Sequence, residues 1–142
     1  MAATVTLTLE DARRALDVIL PELKRRALSA VITVADDHGE LIALLRMDGA
    51  PFSSIAIAMN KAYTAARERK PTKEIGRAAR HPETGFDIAY FGDPRIIGWG
   101  GGVPVVIGGA VVGAVAVSGA PEAVDMELAA LGVAAIANAK NE

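Results

Sequence analysis

The sequence predicts an α+β domain, an antiparallel sheet flanked by helices, in the order α-ββ-αα-(β)ββ-α. Three observations carry that expectation. Apolar residues at helical spacing open and close the chain. Two pairs of apolar, β-branched runs are each joined by a tight turn, and helical stretches separate the pairs. Hairpin-joined strands pair antiparallel, and helices between hairpins must bury their apolar faces against the sheet.

The first helix opens on Thr8-Leu9-Glu10-Asp11, which resembles a capping box with Asp11 in place of the usual Glu. Leu9, Ala12, Leu16, Ile19, Leu20, Leu23 and Ala27 then recur at helical spacing, with a kink or early break expected at Pro21. Ala30 to Ala35 reads as a strand, Asp36-Asp37-His38-Gly39 as a turn, and Glu40 to Met47 as the returning strand. After the turn Asp48-Gly49-Ala50-Pro51, Ser53 or Ser54 is expected to cap a helix reaching about Arg69, which Pro71 ends. Thr72 starts a short helix to about Arg80. His81 to Gly98, with Pro82, Gly85, Gly92 and Pro94, is the longest irregular stretch, and such loops often carry function. A final helix runs from Glu122 to about Asn138, with Pro121 near its first turn.

The stretch "IIGWGGGVPVVIGGAVVGAVAVSG", Ile96 to Gly119, admits three readings. A membrane helix fails, because Pro104 and Gly108-Gly109 interrupt it. A dinucleotide fingerprint fails because, counted from Gly98 or Gly100, the last required glycine falls on Val103 or Val105. The third reading fits: Val103 to Ile107 and Ala110 to Val117 are strands joined at Gly108-Gly109, where glycine supplies the positive φ of a two-residue turn. Both strands are apolar at nearly every position, so the sheet should be covered on both faces. Pro104 removes one ladder donor and implies an edge strand or a bulge.

Length and composition bound the rest. The 142 residues fit one domain, residues 1–142, and a hydrophobic content of 51% with mean hydropathy +0.30 suffices for a real core. Aromatics make up 4%, so small aliphatic side chains must pack closely. A net charge of −2 offers no basic footprint for nucleic acid. The absence of cysteine excludes disulfides, thiolate metal sites and cysteine nucleophiles. The amino end, "MAATVTLTLEDARR", does not read as a secretory signal, and a cytoplasmic protein is expected. The last helix carries Leu128, Leu131, Val133 and Ile136, a broad apolar surface that predicts a homo-oligomer.

Several residues are candidates for a site. Gly100, Gly101 and Gly102 either form a tight bend or expose amides as an anion-binding concavity. Lys61 and Thr64 share a helix face; Lys61 is either solvated, or binds a carboxylate or moves protons after desolvation. Arg46 and Asp48 flank Met47 on one strand face, as a structural pair or a pocket rim. Asp125 either complements the amino end of its helix or serves as an acid or base aimed at the glycine loop. A small carboxylate would suit the loop, Arg46 and Lys61 together.

The segments "VADDHGELIALLRMDGA" (Val34 to Ala50), "KAYTAA" (Lys61 to Ala66), "GWGGGVPV" (Gly98 to Val105) and "VGAVAVSGAPEAVDMELAALG" (Val112 to Gly132) resemble the GlcG/HbpS family, also found as the carboxyl-terminal domain of PduO-type proteins. Order and spacing match over nearly the whole chain. The resemblance implies a five-stranded antiparallel sheet packed by helices and a homo-oligomer, from dimer to octamer. Family members are described as haem-binding or redox-linked, as companions of glycolate utilisation, or as proteins of catabolic operons. Haem iron takes His, Met, Cys or Tyr; His38 lies in a predicted turn, His81 is better placed in the long loop, and Met47 and Met59 read as core. The first helix has no histidine, a departure from relatives thought to ligate haem from that region, and no metal cluster is read.

Two function classes follow. One is an oligomeric small-ligand-binding protein for haem or another small planar or anionic ligand. The other is a catabolic enzyme, a deaminase, isomerase or hydrolase, acting on a small carboxylate with Lys61, Asp48 or Asp125 as proton carriers.

Overall fold

The computed structural model describes residues 5–141; residues 1–4, part of the amino end read above, lie outside them. The elements run α1 (Leu9–Arg25), β1 (Val31–Asp36), β2 (Leu41–Arg46), α2 (Ser53–Glu68), α3 (Thr72–Ala79), a 3-10 turn (Ile88–Phe91), β3 (Gly102–Ile107), β4 (Ala110–Ser118) and α4 (Glu122–Lys140). The sheet is antiparallel in the order β2-β1-β4-β3.

Among the described residues the sheet has four strands, not the five expected. The stretch before β3 makes no ladder because its polar backbone is satisfied by a helix side chain. Thr64 Oγ1 donates to the Arg95 carbonyl (2.9 Å) and accepts from the Ile97 amide (3.1 Å). Pro94, together with turns at Asp87 and Asp93 that cap on their own carboxylates, keeps the segment irregular.

The capping box of α1 forms as read, with Thr8 and Asp11 bonded reciprocally. Pro21 does not break the helix. It lies on the exposed face, as does Asp17, whose carbonyl loses its intrahelical partner there and can bond water. Neither Ser53 nor Ser54 caps α2, which begins after Phe52 with no side-chain hydrogen bond at its amino end and no acid in its first turn. Arg69 ends α2 in the left-handed conformation.

The two faces of the sheet pack differently. On one, Ile32, Val34, Val105, Val115 and Val117 meet Ala12, Ala15, Ile19 and Leu23 of α1 and Leu128, Ala129 and Ile136 of α4. On the other, Ala35, Ala114 and Ala116 meet Ala62, Ala65 and Ala66 of α2, while Val31 meets Ala58. An alanine-on-alanine layer lets α2 approach the strands closely, and Thr33 Oγ1 donates to the Ala58 carbonyl (2.7 Å). The expected two-sided cover holds for β4, buried from Val112 to Ser118. By contrast β3 is an edge strand, with its register shifting just after Pro104, between Val105 and Val106. The apolar face expected on α4 as an interface is core instead: Leu128 and Ile136 are fully buried, Val133 packs against them, and Leu131 alone of the four is exposed.

Candidate functional site

At one end of the sheet, three elements begin or end together. β4 finishes at Ser118, α2 starts at Ser53 and α4 starts at Glu122. They enclose a cavity of about 320 Å³ lined by Pro51, Ser53, Ser54, Ile57, Lys61, Trp99, Gly100, Ser118, Gly119, Ala120, Glu122 and Asp125.

Lys61 stands on its wall, and it is not solvated: it is 3% exposed. Its Nζ donates to the Val117 carbonyl (2.8 Å) and to Asp125 Oδ2 (3.3 Å). Asp125 is equally buried, and its Oδ1 accepts from the Ala120 amide (3.1 Å). Burial dominates both titrations. It lowers the pKa of Lys61 against the opposing pull of Asp125, and raises that of Asp125 against the pull of Lys61. Desolvation thus drives both groups toward their neutral forms, which narrows the gap for a proton to pass between them.

The glycine loop lies against this pair. The Gly100 amide donates to Glu122 Oε2 (2.8 Å), and the Gly102 amide donates to Thr72 Oγ1 (3.0 Å). Two of the three amides read as an anion-binding concavity are therefore engaged within the chain. Glu122 also accepts from Lys73 Nζ (2.6 Å), and that bond, with the Gly100 amide, holds its carboxyl below the usual range. Gly101 has φ +125° and no room for a side chain: a Cβ would stand 2.7 Å from Lys61 Nζ and 2.7 Å from the Val117 carbonyl oxygen.

The structure thus brings together Lys61, Asp125 and the loop Gly100, Gly101 and Gly102. It does not bring Arg46 and Asp48 to them. Those two line a separate depression with Leu20, Lys24, Leu45 and Met47, which shares no residue with the cavity at Lys61. Thr64 is buried on α2 but holds the segment Arg95 to Ile97 rather than the cavity wall. Of the two methionines read as core, Met47 packs against it and Met59 is exposed. Sequence reasoning missed Ser54, Ser118, Trp99 and Glu122. Ser54 and Ser118 share a buried hydrogen bond (3.2 Å), and Trp99, 58% exposed, separates the cavity from a second groove. Glu122 had a signal, since it falls three residues before Asp125 in the same helical turn.

The second groove, about 470 Å³, is largely apolar and is lined by Gly76, Ala79, Arg80, Phe86, Asp87, Ile88, Ile96, Ile97, Gly98 and Trp99. Neither cavity wall contains a His, Met or Tyr that could ligate haem iron. His38 is exposed beside Asp37, and His81 Nδ1 accepts from the Glu83 and Thr84 amides (both 3.1 Å). The donor set of these two cavities does not fit an axially ligated haem. No described helix is long and apolar enough to cross a membrane.

Fold and site define a class: a small α+β domain with a buried lysine–aspartate pair beside a ligand-sized cavity. The model of the family described as "Haem degrading protein HbpS-like" matches residues 7–134, and the chain belongs to that family. It is 40% identical over 97 residues to Protein GlcG of Escherichia coli, covering 68% of this chain and 69% of that one. Protein ORFY of Klebsiella pneumoniae superposes with a TM-score of 0.89 at 30% identity, covering 96% of this chain and 94% of that chain. A double mutant of HbpS from Streptomyces reticuli does so with a TM-score of 0.81 at 31% identity, over 94% and 89%.

Proposed function

We infer that the protein binds a small carboxylate in the cavity at Lys61, with the ligand resting between the lysine and the amino end of α2. The observation that carries this reading is the buried Lys61–Asp125 pair in a cavity wall. With two partners on Nζ, Lys61 keeps one N–H direction toward the cavity, and a polar contact made there out of water is stronger than one in solvent. The start of α2 has no side-chain cap and no acidic residue in its first turn, so its partial positive charge meets no counter-charge, although the Ser54 and Ile55 amides donate to the Pro51 and Phe52 carbonyls. A haem-sized planar ligand has the family description in its favour, but neither cavity offers an axial ligand.

A second reading, an enzyme acting on a small carboxylate, is favoured by one observation. The opposed shifts of Lys61 and Asp125 suit a pair that exchanges a proton with a bound molecule. Asp48 has no part in it.

Differential scanning fluorimetry with a panel of small carboxylates tests the binding. A true ligand at a hundred times its Kd adds about 2.7 kcal/mol of stability, a rise in Tm of several degrees. A panel without effect overturns the site. In an absorbance titration hemin is expected to bind weakly or substoichiometrically; a sharp one-to-one Soret endpoint would reinstate haem.

We propose further that the protein is a cytoplasmic homo-oligomer acting in a catabolic pathway, which its family membership supports. Five of the six aromatic side chains, Phe52, Phe86, Tyr90, Phe91 and Trp99, are exposed, although aromatics ordinarily favour cores and interfaces. Light scattering at micromolar concentration should give a mass above that of one chain; a monomer throughout overturns assembly.

A further inference from the structure

We propose that Lys61 is a carbonyl-capturing amine, which condenses with a small oxo acid to form an imine while the ligand's carboxylate rests against the amino end of α2. The inference rests on the binding cavity proposed above and names the chemistry of its occupant.

Three features of the chain lead there. First, Lys61 alone among the lysines is buried; Lys24, Lys70, Lys73 and Lys140 are exposed or half-buried. Burial favours the neutral amine, the nucleophilic form. Second, Nζ has two partners, the Val117 carbonyl and Asp125, which leaves its third tetrahedral direction free. Gly101 keeps the space beside Nζ clear, since any Cβ there would close to 2.7 Å. Third, Ser54 lies seven residues before Lys61, two turns down the same face of α2. Helical side chains lean toward the amino end, so the amine and the helix start, which carries no side-chain cap and no acidic residue, face one cavity. The other charges of the wall are already matched, Asp125 with Lys61 and Glu122 with Lys73. A ligand carboxylate is therefore best placed at the helix start, and the amine meets the carbonyl.

The step balances within the pair. A proton passes from the Lys61 ammonium to the Asp125 carboxylate, leaving an amine and a carboxylic acid. The Nζ lone pair forms a C–N bond to the carbonyl carbon, and the C=O π pair moves to oxygen, which takes the Asp125 proton. The nitrogen of this carbinolamine returns a proton to Asp125. Asp125 then gives that proton to the hydroxyl, which leaves as water with the C–O pair while nitrogen closes the C=N bond. The products are an iminium–carboxylate pair and water, and nothing is oxidised or reduced.

Reductive trapping of the intact protein tests this. The protein is incubated with pyruvate and sodium cyanoborohydride, digested with trypsin and mapped by mass spectrometry. Lactate serves as a carboxylate without the carbonyl, and propanal as a carbonyl without the carboxylate. Pyruvate should modify Lys61 an order of magnitude or more faster than Lys24, Lys70, Lys73 or Lys140, and block cleavage after it. Propanal should modify Lys61 far more slowly, and lactate should raise Tm without leaving an adduct. If pyruvate and lactate raise Tm alike and Lys61 stays unmodified, imine capture is wrong and the cavity stands. Even labelling of all lysines also overturns it, and equal trapping of propanal removes the role of the helix start. If neither acid shifts Tm and no adduct forms, the cavity reading falls as well.

Discussion

Gly101→Val should lower stability by about 2–6 kcal/mol, the sum of two penalties acting at one atom. A β-branched residue at φ +125° carries backbone strain of about 1–3 kcal/mol. Overfilling a packed site adds about 1–3 kcal/mol, and here the new Cβ would lie 2.7 Å from both Lys61 Nζ and the Val117 oxygen, and 3.0 Å from Asp125 Cβ. The last two neighbours cannot retreat without moving the β4 backbone or the first turn of α4. For a domain of this size the loss corresponds to a Tm fall of about 6–24 °C. Gly108→Ala separates the penalties, because Gly108 also has positive φ (+58°) but nothing within 4 Å of a new Cβ. It should cost about 1 kcal/mol. Equal losses in the two variants would show that overlap at the site contributes nothing.

Lys61→Met should destabilise the protein by about 3–4 kcal/mol at neutral pH, because it strands Asp125 as a buried charge without its cation. A solvated lysine would instead leave Tm nearly unchanged. Protonating the stranded carboxyl caps the loss: from its ordinary value of 3.8 to pH 7 this costs about 4 kcal/mol at 1.36 kcal/mol per unit. The sign of the pH dependence follows. Asp125 already has a raised folded-state pKa, and losing Lys61 raises it further. The folded state then binds its proton more tightly than the unfolded chain. The deficit of the variant is full above that raised pKa and shrinks as pH falls toward 3.8. Lys61→Met with Asp125→Asn removes the charge and keeps an acceptor for the Ala120 amide, so it should recover more than half of the loss. Denaturant midpoints of the two variants from pH 4 to 8 decide it. A double variant no better than the single would mean that packing around the lysine stem, and not charge, holds this region.

The parts of this fold that depend on near neighbours were legible in the sequence. The capping box at Thr8 and Asp11, the Gly108-Gly109 turn and the edge position of β3 each follow from residues a few places apart. Pro21 misled because the rule against proline assumes a buried or dry carbonyl four residues back, and Asp17 lies on the wet face. The site was legible by residue type and not by depth. Lys61 looks like any helix lysine until β4 and α4 close over it, and the acid at Gly100 is Glu122, twenty-two positions away. Arg46 and Asp48 are charged like Lys61 and Asp125, but Arg46 ends β2 and Asp48 lies in the turn after it, where they line a separate depression.

The central pairing of β1 with β4 joins residues 31–36 to residues 113–118, so the middle of the sheet is closed by partners from opposite ends of the chain. Each hairpin can form on its own within microseconds. Their union must wait for the long loop to close, a search whose entropy nothing local offsets. During synthesis, β1 emerges with β2 on one edge and an open ladder of Val, Ile and Thr on the other, and it stays open until nearly the whole polypeptide has been made. Docking of the two hairpins is therefore expected to be the slow step of folding, and the nascent first half exposes an unpaired strand edge until it is complete.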